Sequence, residues 1–393
     1  MRVLFFVEGF TDIRFVVGLS EICDLTLVTP ARAFRESGLD ERLRENGARV
    51  EVRTIEGGRL AFQWRSLVWL WREAASFDVV LAQEMLRGGV NATVVGALRG
   101  VPVVTYMGIS PIEYFRCRRE RGQIGAVAAA AGEAAIRAML TISGRLAATA
   151  LVMGPYLATV AAPFSRRVAI GRYYGVDVDL YRPATAGERA ALRERLNLPR
   201  HAFLIILSSR ISHEKDPETV LQAVAFARAR GLDAVVLNLG GGHREFLALA
   251  ASTGVPDPDE WVLARPAAHP MKELADYYRA ADLLVQGSLE EGLGFSPLEA
   301  LACEVPTVAS AVGGLAAHLG PVATLTPRRD AVAMASAILQ VASNPEVAHA
   351  QARRGREYVV RHWSRARAFA ELQQILAEAA GRAPVSAPQA ERA

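Results

Sequence analysis

Asp282-Leu283-Leu284-Val285-Gln286, followed by Glu291-Gly292-Leu293-Gly294-Phe295-Ser296-Pro297-Leu298-Glu299 and then Ala300-Leu301-Ala302, is the stretch whose reading decides the fold. The first run is short and apolar and reads as a strand buried in a parallel sheet; the last reads as the start of a helix. Between them, Ser296 suits an N-cap, Pro297 the first helical position and Glu299 the third, so Ser296-x-x-Glu299 has the form of a capping box. Gly292 and Gly294 precede that cap. Without side chains, they let a ligand approach backbone N–H groups at the positive end of a helix, which is how α/β proteins hold phosphate. Glu299 taken singly reads as part of the cap. Glu291 lies at the carboxyl end of a strand, where open α/β sheets bind ligands. A carboxylate there accepts hydrogen bonds from hydroxyls, so the loop suits a ligand carrying both phosphate and hydroxyl groups.

Working outward, strand-like and helix-like runs alternate through the whole chain, which predicts an α/β fold of doubly wound parallel sheets. Strands are expected at Arg2–Val7, Leu25–Val28, Val50–Thr54, Val79–Ala82, Pro102–Tyr106 and Ala138–Ile142 in the first half. In the second half they are expected at Phe203–Ser208, Ala234–Leu239, Trp261–Leu263, Leu283–Gln286 and Thr307–Ala309. The charged, proline-flanked stretch Tyr181–Pro199 is the expected junction. With 393 residues the chain can build two cores. A net charge of +4 is too small to demand nucleic acid, and the dispersed arginines form no recognition motif. Lysine occurs only at Lys215 and Lys272 among the 45 basic residues, which makes Lys215 conspicuous. Cys23, Cys117 and Cys303 have neither metal-like nor disulfide-like spacing, so a reducing cytoplasm is the default expectation.

A second constellation follows the strand at Phe203. In Ser208-Ser209-Arg210-Ile211-Ser212-His213-Glu214-Lys215-Asp216-Pro217, Asp216 is an expected N-cap and Pro217 a first helical residue. Arg210 and Lys215 therefore lie in a strand-to-helix loop, where a guanidinium fork and an ammonium can neutralise a diphosphate. An Arg and a Lys five apart also occur on ordinary solvated loops. What favours the site is position, because loops following different strands of one doubly wound sheet open on the same edge.

The run Glu291–Gly294 with Leu298–Ala302, Val305-Pro306-Thr307-Val308-Ala309-Ser310 and Gly313-Gly314 closely resembles the donor site of retaining glycosyltransferases of family 4 (glycosyltransferase group 1). The resemblance implies the GT-B fold, two Rossmann-like doubly wound domains facing a central cleft. It implies an acceptor-side domain at 1–183, a donor-binding domain at 184–361 and a helix at about 362–380 packing back on the first domain; the tail at 381–393, rich in Ala and Pro, is expected to be disordered. In that family an Arg and a Lys stand where Arg210 and Lys215 do. By the resemblance, Arg210 and Lys215 bind the donor diphosphate, Glu291 touches the transferred sugar, and Glu299 holds the ribose. The backbone of Gly292, Leu293, Gly294 and Phe295 cradles sugar and phosphate beside Leu298, while Gly240 and Arg265 flank the nucleotide. On the acceptor side the correspondences are Gly9, Asp12, Met107 and His213. Gly9 stands where the family often has two glycines, and Met107 where it commonly has histidine.

The implied activity is transfer of a sugar from a nucleotide-diphosphate-sugar to an acceptor hydroxyl with retention. No Asp-x-Asp metal site is expected, and Arg210 with Lys215 can replace a divalent ion. No metal and no cofactor is therefore expected, the nucleotide-sugar being a co-substrate. The alternatives are another GT-B enzyme, an epimerase or phosphorylase, and a non-catalytic nucleotide-sugar binder or scaffold. A cytoplasmic protein is expected. Two features raise peripheral membrane contact as a lesser expectation: Trp64, Trp69 and Trp71 beside Arg65 and Arg72, and the cluster Arg116, Arg118, Arg119 and Arg121. The uncharged stretch Leu146–Ser165 is broken by Gly154-Pro155 and is expected to form two buried segments joined by a turn.

Overall fold

The computed structural model describes residues 1–120 and 125–382. Arg121 and most of the expected disordered tail lie outside the described residues. The chain divides into two units. The first comprises Met1–Ile112 with residues 125–175 and 366–382; the second comprises residues 113–120 and Val176–Arg365. The division falls at Gly175/Val176, ahead of the expected junction, because Tyr181 is already part of the second core. Its ring lies 6.0 Å from that of Tyr278 and its hydroxyl donates to the Pro270 carbonyl at 2.8 Å.

The first unit contains a seven-stranded sheet, all of whose pairings are parallel. Its strands are β1 (Arg2–Phe6), β2 (Asp24–Pro30), β3 (Val50–Ile55), β4 (Val79–Ala82), β5 (Val103–Met107), β6 (Thr149–Met153) and β7 (Val168–Gly171). They run in the order β3-β2-β1-β4-β5-β6-β7. β1 is buried on both faces, and its period-2 alternation divides the core. Leu4 and Phe6 belong to a cluster with Phe62 and Leu70 of the helix Arg59–Glu73. Phe5 packs edge-on against Phe15 of the helix Ile13–Ile22, with ring centroids 5.3 Å apart. The last helix, Arg365–Ala379, packs on that side too. A Cβ on Gly18 would lie 1.9 Å from the Phe369 ring, so only glycine permits the approach.

One expectation is corrected in this unit and another is met. Ala138–Ile142 is not a strand but part of the helix Ala126–Leu146. The stretch Leu146–Ser165 forms, as expected, two segments that meet at Gly154-Pro155, namely β6 and the helix Gly154–Ala161.

The second unit contains a six-stranded parallel sheet of β8 (Phe203–Ser208), β9 (Ala234–Leu239), β10 (Val262–Arg265), β11 (Leu283–Gln286), β12 (Thr307–Ser310) and β13 (Thr324–Thr326). The order is β10-β9-β8-β11-β12-β13. Both sheets thus follow the 3-2-1-4-5-6 pattern, in which the strand order reverses once. That reversal opens a crevice at the carboxyl ends of the two strands flanking it. In the first unit these strands are β1 and β4; in the second they are β8 and β11.

Candidate active site

The loops leaving β8 and β11 meet at the reversal point of the second unit. The chain after β8 runs Ser209–Asp216, and Asp216, in the left-handed region (φ 43°), caps the helix Pro217–Arg228 as expected. Its side chain accepts from the Thr219 hydroxyl at 2.6 Å. The chain after β11 lies tightly against this turn: a Cβ on Gly287 would sit 2.8 Å from the Asp216 carbonyl, and Leu289 N donates to the Glu214 carbonyl at 2.8 Å. This contact carries Lys215 to Glu291. The ammonium lies 2.5 Å from Glu291 Oε2, with the two side chains 19% and 12% exposed. The same oxygen accepts from Gln286 Nε2 at 2.6 Å, and the Ser288 hydroxyl lies 3.4 Å away. Gln286 and Ser288 are polar neighbours of Glu291 that the sequence reading did not single out. Gln286 was legible only as the last residue of a strand.

Arg210 points a more exposed guanidinium at Glu214, 2.7 Å away. Burial of Glu214 acts to raise its pKa, but backbone hydrogen bonding and the Arg210 and Lys215 cations outweigh it and hold the carboxylate ionised. The site therefore carries two cations and two anions at one sheet edge. His213 belongs to the same loop, in the single 3₁₀ turn His213–Lys215.

The glycine loop is shaped from a third side. The helix after it, Phe295–Ala302, begins two residues earlier than expected, because Gly294 adopts φ 92° and takes the cap position itself. The expected capping box does not form. The Ser296 hydroxyl donates instead to the Ser208 carbonyl at 2.6 Å, tying the helix to the end of β8. Glu299, 3% exposed, accepts from the Tyr278 hydroxyl at 2.9 Å. Leu293 and Leu298 are buried and anchor the loop and the helix in the core. A short helix, Gly313–His318, follows β12 and holds the loop from outside. Gly314 N donates to the Glu291 carbonyl at 2.8 Å, and His318 Nε2 lies 2.8 Å from the Leu293 carbonyl. Since a carbonyl only accepts, Nε2 carries the proton. Burial lowers the His318 pKa, which favours that neutral tautomer.

Gly240 and Arg265 serve the architecture of the same edge. A Cβ on Gly240 would lie 2.1 Å from the Ser209 carbonyl, so the close approach of the two loops requires glycine there. Asn238 fastens these loops by donating to the carbonyls of Leu207 and Ser209 at 3.1 and 3.0 Å. The Arg265 guanidinium is taken up by the Leu196 and Asn197 carbonyls at 2.6 and 2.8 Å, a use that sequence position alone did not reveal.

In the first unit the reversal point bears a different chemistry. Glu8 follows β1 and Glu84 follows β4, and both accept from Gly88 N at 3.1 Å. Arg87 pairs with Glu8 at 2.7 Å. Burial and the hydrogen bond and charge of Glu8 push the Glu84 carboxyl up to about 8. Burial alone would raise Glu8 as well, but its bonds to Glu84, Arg87 and Gly88 bring it down, so one proton is shared and sits on Glu84. Neither residue was picked out from the sequence as a site residue.

The folded state keeps the Glu84 proton up to about pH 8, whereas the unfolded chain releases it near the ordinary carboxylate value. This contribution is full below that lower value and is lost as pH rises through about 8. Glu84→Gln should therefore flatten the fall in melting temperature between roughly pH 5 and 8. Equal slopes in wild type and variant would take the proton off this pair.

Of the other acceptor-side expectations, Gly9 is exposed. Asp12 caps the helix Ile13–Ile22 and pairs with Arg14 at 2.8 Å. Met107 is 3% exposed and packs in an apolar cluster with Met85, Ile112 and Leu140.

Residues 188–358 match the family model described as glycosyl transferases group 1. The D-inositol 3-phosphate glycosyltransferase 1 of Catenulispora acidiphila is 33% identical over 289 residues, which cover 70% of this chain and 66% of that protein. The D-inositol 3-phosphate glycosyltransferase of Xylanimonas cellulosilytica is 40% identical over 148 residues, covering 36% and 34% of the two chains. The chain thus spans two thirds or less of these curated relatives. Among solved structures, Anabaena Alr3699/HepE in complex with UDP-glucose superposes with a TM-score of 0.76 at 17% identity, covering 96% of this chain and 98% of that one. Sucrose-phosphate synthase from Thermosynechococcus elongatus gives 0.73 at 17% identity, covering 96% and 99%. Residues 188–358 thus form a glycosyl transferases group 1 domain, and the two parallel-sheet domains of the chain give it the GT-B fold.

Proposed function

We propose that the protein is a retaining, metal-independent glycosyltransferase of family 4 that moves a sugar from a nucleotide-diphosphate-sugar to an acceptor hydroxyl. The observation that carries this reading is the Lys215–Glu291 pair, which joins the two loops at the reversal point of the second sheet. A cation there faces the charge that develops on a leaving diphosphate, and a carboxylate beside it accepts from sugar hydroxyls. Arg210 adds a second cation, and the amides at the start of the helix Phe295–Ala302 add a fixed positive dipole. Glu299 is assigned to the ribose hydroxyls, its carboxylate oriented by Tyr278. Two fixed cations stand where a divalent ion would otherwise neutralise the diphosphate, which supports turnover without one.

No side chain is assigned as a nucleophile. The leaving diphosphate departs, the acceptor oxygen attacks from the same face, and its proton passes to the departing phosphate oxygen. The comparisons favour a uridine nucleotide, since structures similar in fold are complexes with UDP and UDP-glucose. The names of the relatives make an inositol phosphate the first acceptor to try.

The test is a panel of uridine, guanosine and adenosine diphosphates and their sugar conjugates, in chelator, read first by thermal stabilisation and then by transfer to inositol phosphate and to glycan acceptors. Stabilisation by one nucleotide family, with chelator-resistant transfer and an unchanged anomeric configuration in the product, is expected. Isomerised donor without acceptor would point to an epimerase, release of sugar phosphate to a phosphorylase, and binding without turnover on any acceptor to a scaffold.

A further inference from the structure

The helix Arg59–Glu73 in the first unit buries Phe62, Ser66 and Leu70 and turns Leu60, Trp64 and Trp71 outward, 87%, 69% and 47% exposed. At about 100° per residue, positions 60, 64 and 71 fall within roughly 40° of one another, so the three form a single apolar ridge. Trp69, which the sequence groups with them, packs partly buried against the core and does not belong to the ridge. Arg65 and Arg72 flank the ridge on one side, and on the other lies the helix that carries Asn91, which donates to Gln63; Arg59 is exposed at the helix start, on the azimuth of Ser66 and Leu70. Arg99, from the adjacent helix Arg87–Arg99, lies over the Trp71 ring at 5.3 Å.

Among the described residues none of these four arginines is in an ion pair; Arg65 donates to the Glu56 carbonyl. The helix Arg87–Arg99 also exposes Leu98. It packs in turn against Ala126–Leu146, a 21-residue helix whose most apolar window has a mean hydropathy of 1.3 and is only 17% buried. All three helices cover the same face of the first sheet, because they connect β3 to β4, β4 to β5 and β5 to β6 by successive crossovers on the far side of the reversal.

We propose that this helical layer is a docking surface for a bilayer carrying anionic phospholipid. Tryptophan combines an apolar body with an N–H, which suits the headgroup boundary. Arg65 and Arg72 on one flank of the ridge, with Arg99 over Trp71, are placed for lipid phosphates. A helix with its other face in a protein core can sink its ridge only by about 5–10 Å, the depth of an interfacial contact. The charge pattern selects this occupant: an apolar ridge flanked by cations complements a negative surface with a greasy interior.

The experiment uses the full chain with vesicles of phosphatidylcholine alone and with about 30% phosphatidylglycerol, in low and high salt. Sedimentation with the anionic vesicles should be at least about tenfold stronger than with neutral ones and should weaken in high salt. Brominated lipid should quench the tryptophan fluorescence, and the quenching should come from Trp64 and Trp71, since Trp261 and Trp363 are buried. The double variant Leu60→Ser, Trp64→Ser should lose about tenfold in binding while keeping its melting temperature, because both side chains are exposed. No preference for anionic vesicles, no quenching, or equal binding by the variant would overturn the proposal. So would a concentration-dependent dimer of the wild type, dispersed by the variant, in the absence of lipid binding; that result assigns the ridge to a second copy of the chain.

Discussion

Lys215→Ala should lower sugar transfer by about 10²–10³-fold, or roughly 3–4 kcal/mol, the scale on which a preorganised charge at a developing anion acts. The lysine is held for this use. Its ammonium is only partly exposed and fixed at 2.5 Å from Glu291, and its loop is locked by the Asp216 cap and the Leu289–Glu214 backbone bond. Little reorganisation is then needed when a diphosphate arrives. The variant should lose far more affinity for a nucleoside diphosphate than for the nucleoside.

Arg210→Ala should cost less, about tenfold, since its guanidinium is 63% exposed and works through a higher dielectric. Glu291→Gln should cripple transfer while leaving diphosphate affinity near wild type. Combined with Lys215→Ala it should show a coupling of about 0.5–3 kcal/mol, as expected for groups in direct contact. Equal losses for nucleoside and diphosphate in Lys215→Ala would remove the phosphate role. Strict additivity of the two substitutions would mean that the pair does not act as a unit.

The parts of this site legible in the sequence are those set by local chemistry. β11, the glycine loop and the helix beginning near Ser296 follow from an apolar run, two glycines and a proline at a helix start. Asp216 and Pro217 announce their helix in the same way, and the observed cap agrees. What local chemistry cannot supply is the destination of a polar side chain. Ser296 and Glu299 have the spacing of a capping box, yet Gly294 starts the helix two residues early, and the two side chains go to Ser208 and Tyr278. The partners lie 88 and 21 residues away, and nothing in the motif encodes them.

The same holds for Glu8 and Glu84. They share a proton only because β1 and β4 are neighbours, a fact of sheet order. Where apolar runs are concerned the limit is different. Ala138–Ile142 reads equally well as a buried strand or as helix, since both are continuous and apolar; its place within twenty-one helical residues decides the matter. β6 was concealed because the uncharged stretch around it shows no polar break at its ends.

Gly314→Ala should disable the donor loop although residue 314 contributes no side chain to any ligand. An added Cβ would stand 2.1 Å from the Gly292 carbonyl oxygen and 2.6 Å from its carbon, and backbone cannot yield as a flexible side chain can. The helix Gly313–His318 and the loop must separate. That puts at risk the Gly314–Glu291 backbone bond and the His318–Leu293 contact, which together fix the carbonyls on either side of Gly292. A shift of about 1 Å at a positioning element can cost on the order of 10²-fold in rate, so a fall of that size in transfer is expected, with a stability loss of about 1–3 kcal/mol from the forced contact.

Two companions separate loop geometry from general damage. Gly187→Ala, in the first turn of the helix Ala186–Arg195 with nothing within 4 Å of the added Cβ, should leave both stability and transfer near wild type. His318→Gln can still present an N–H to the Leu293 carbonyl and should retain more activity than His318→Phe, which cannot. Unchanged kinetics and nucleotide affinity in Gly314→Ala would show that the loop tolerates displacement and that its shape is not what holds the donor. A loss confined to stability, with normal turnover per folded molecule, would make the clamp a structural device alone.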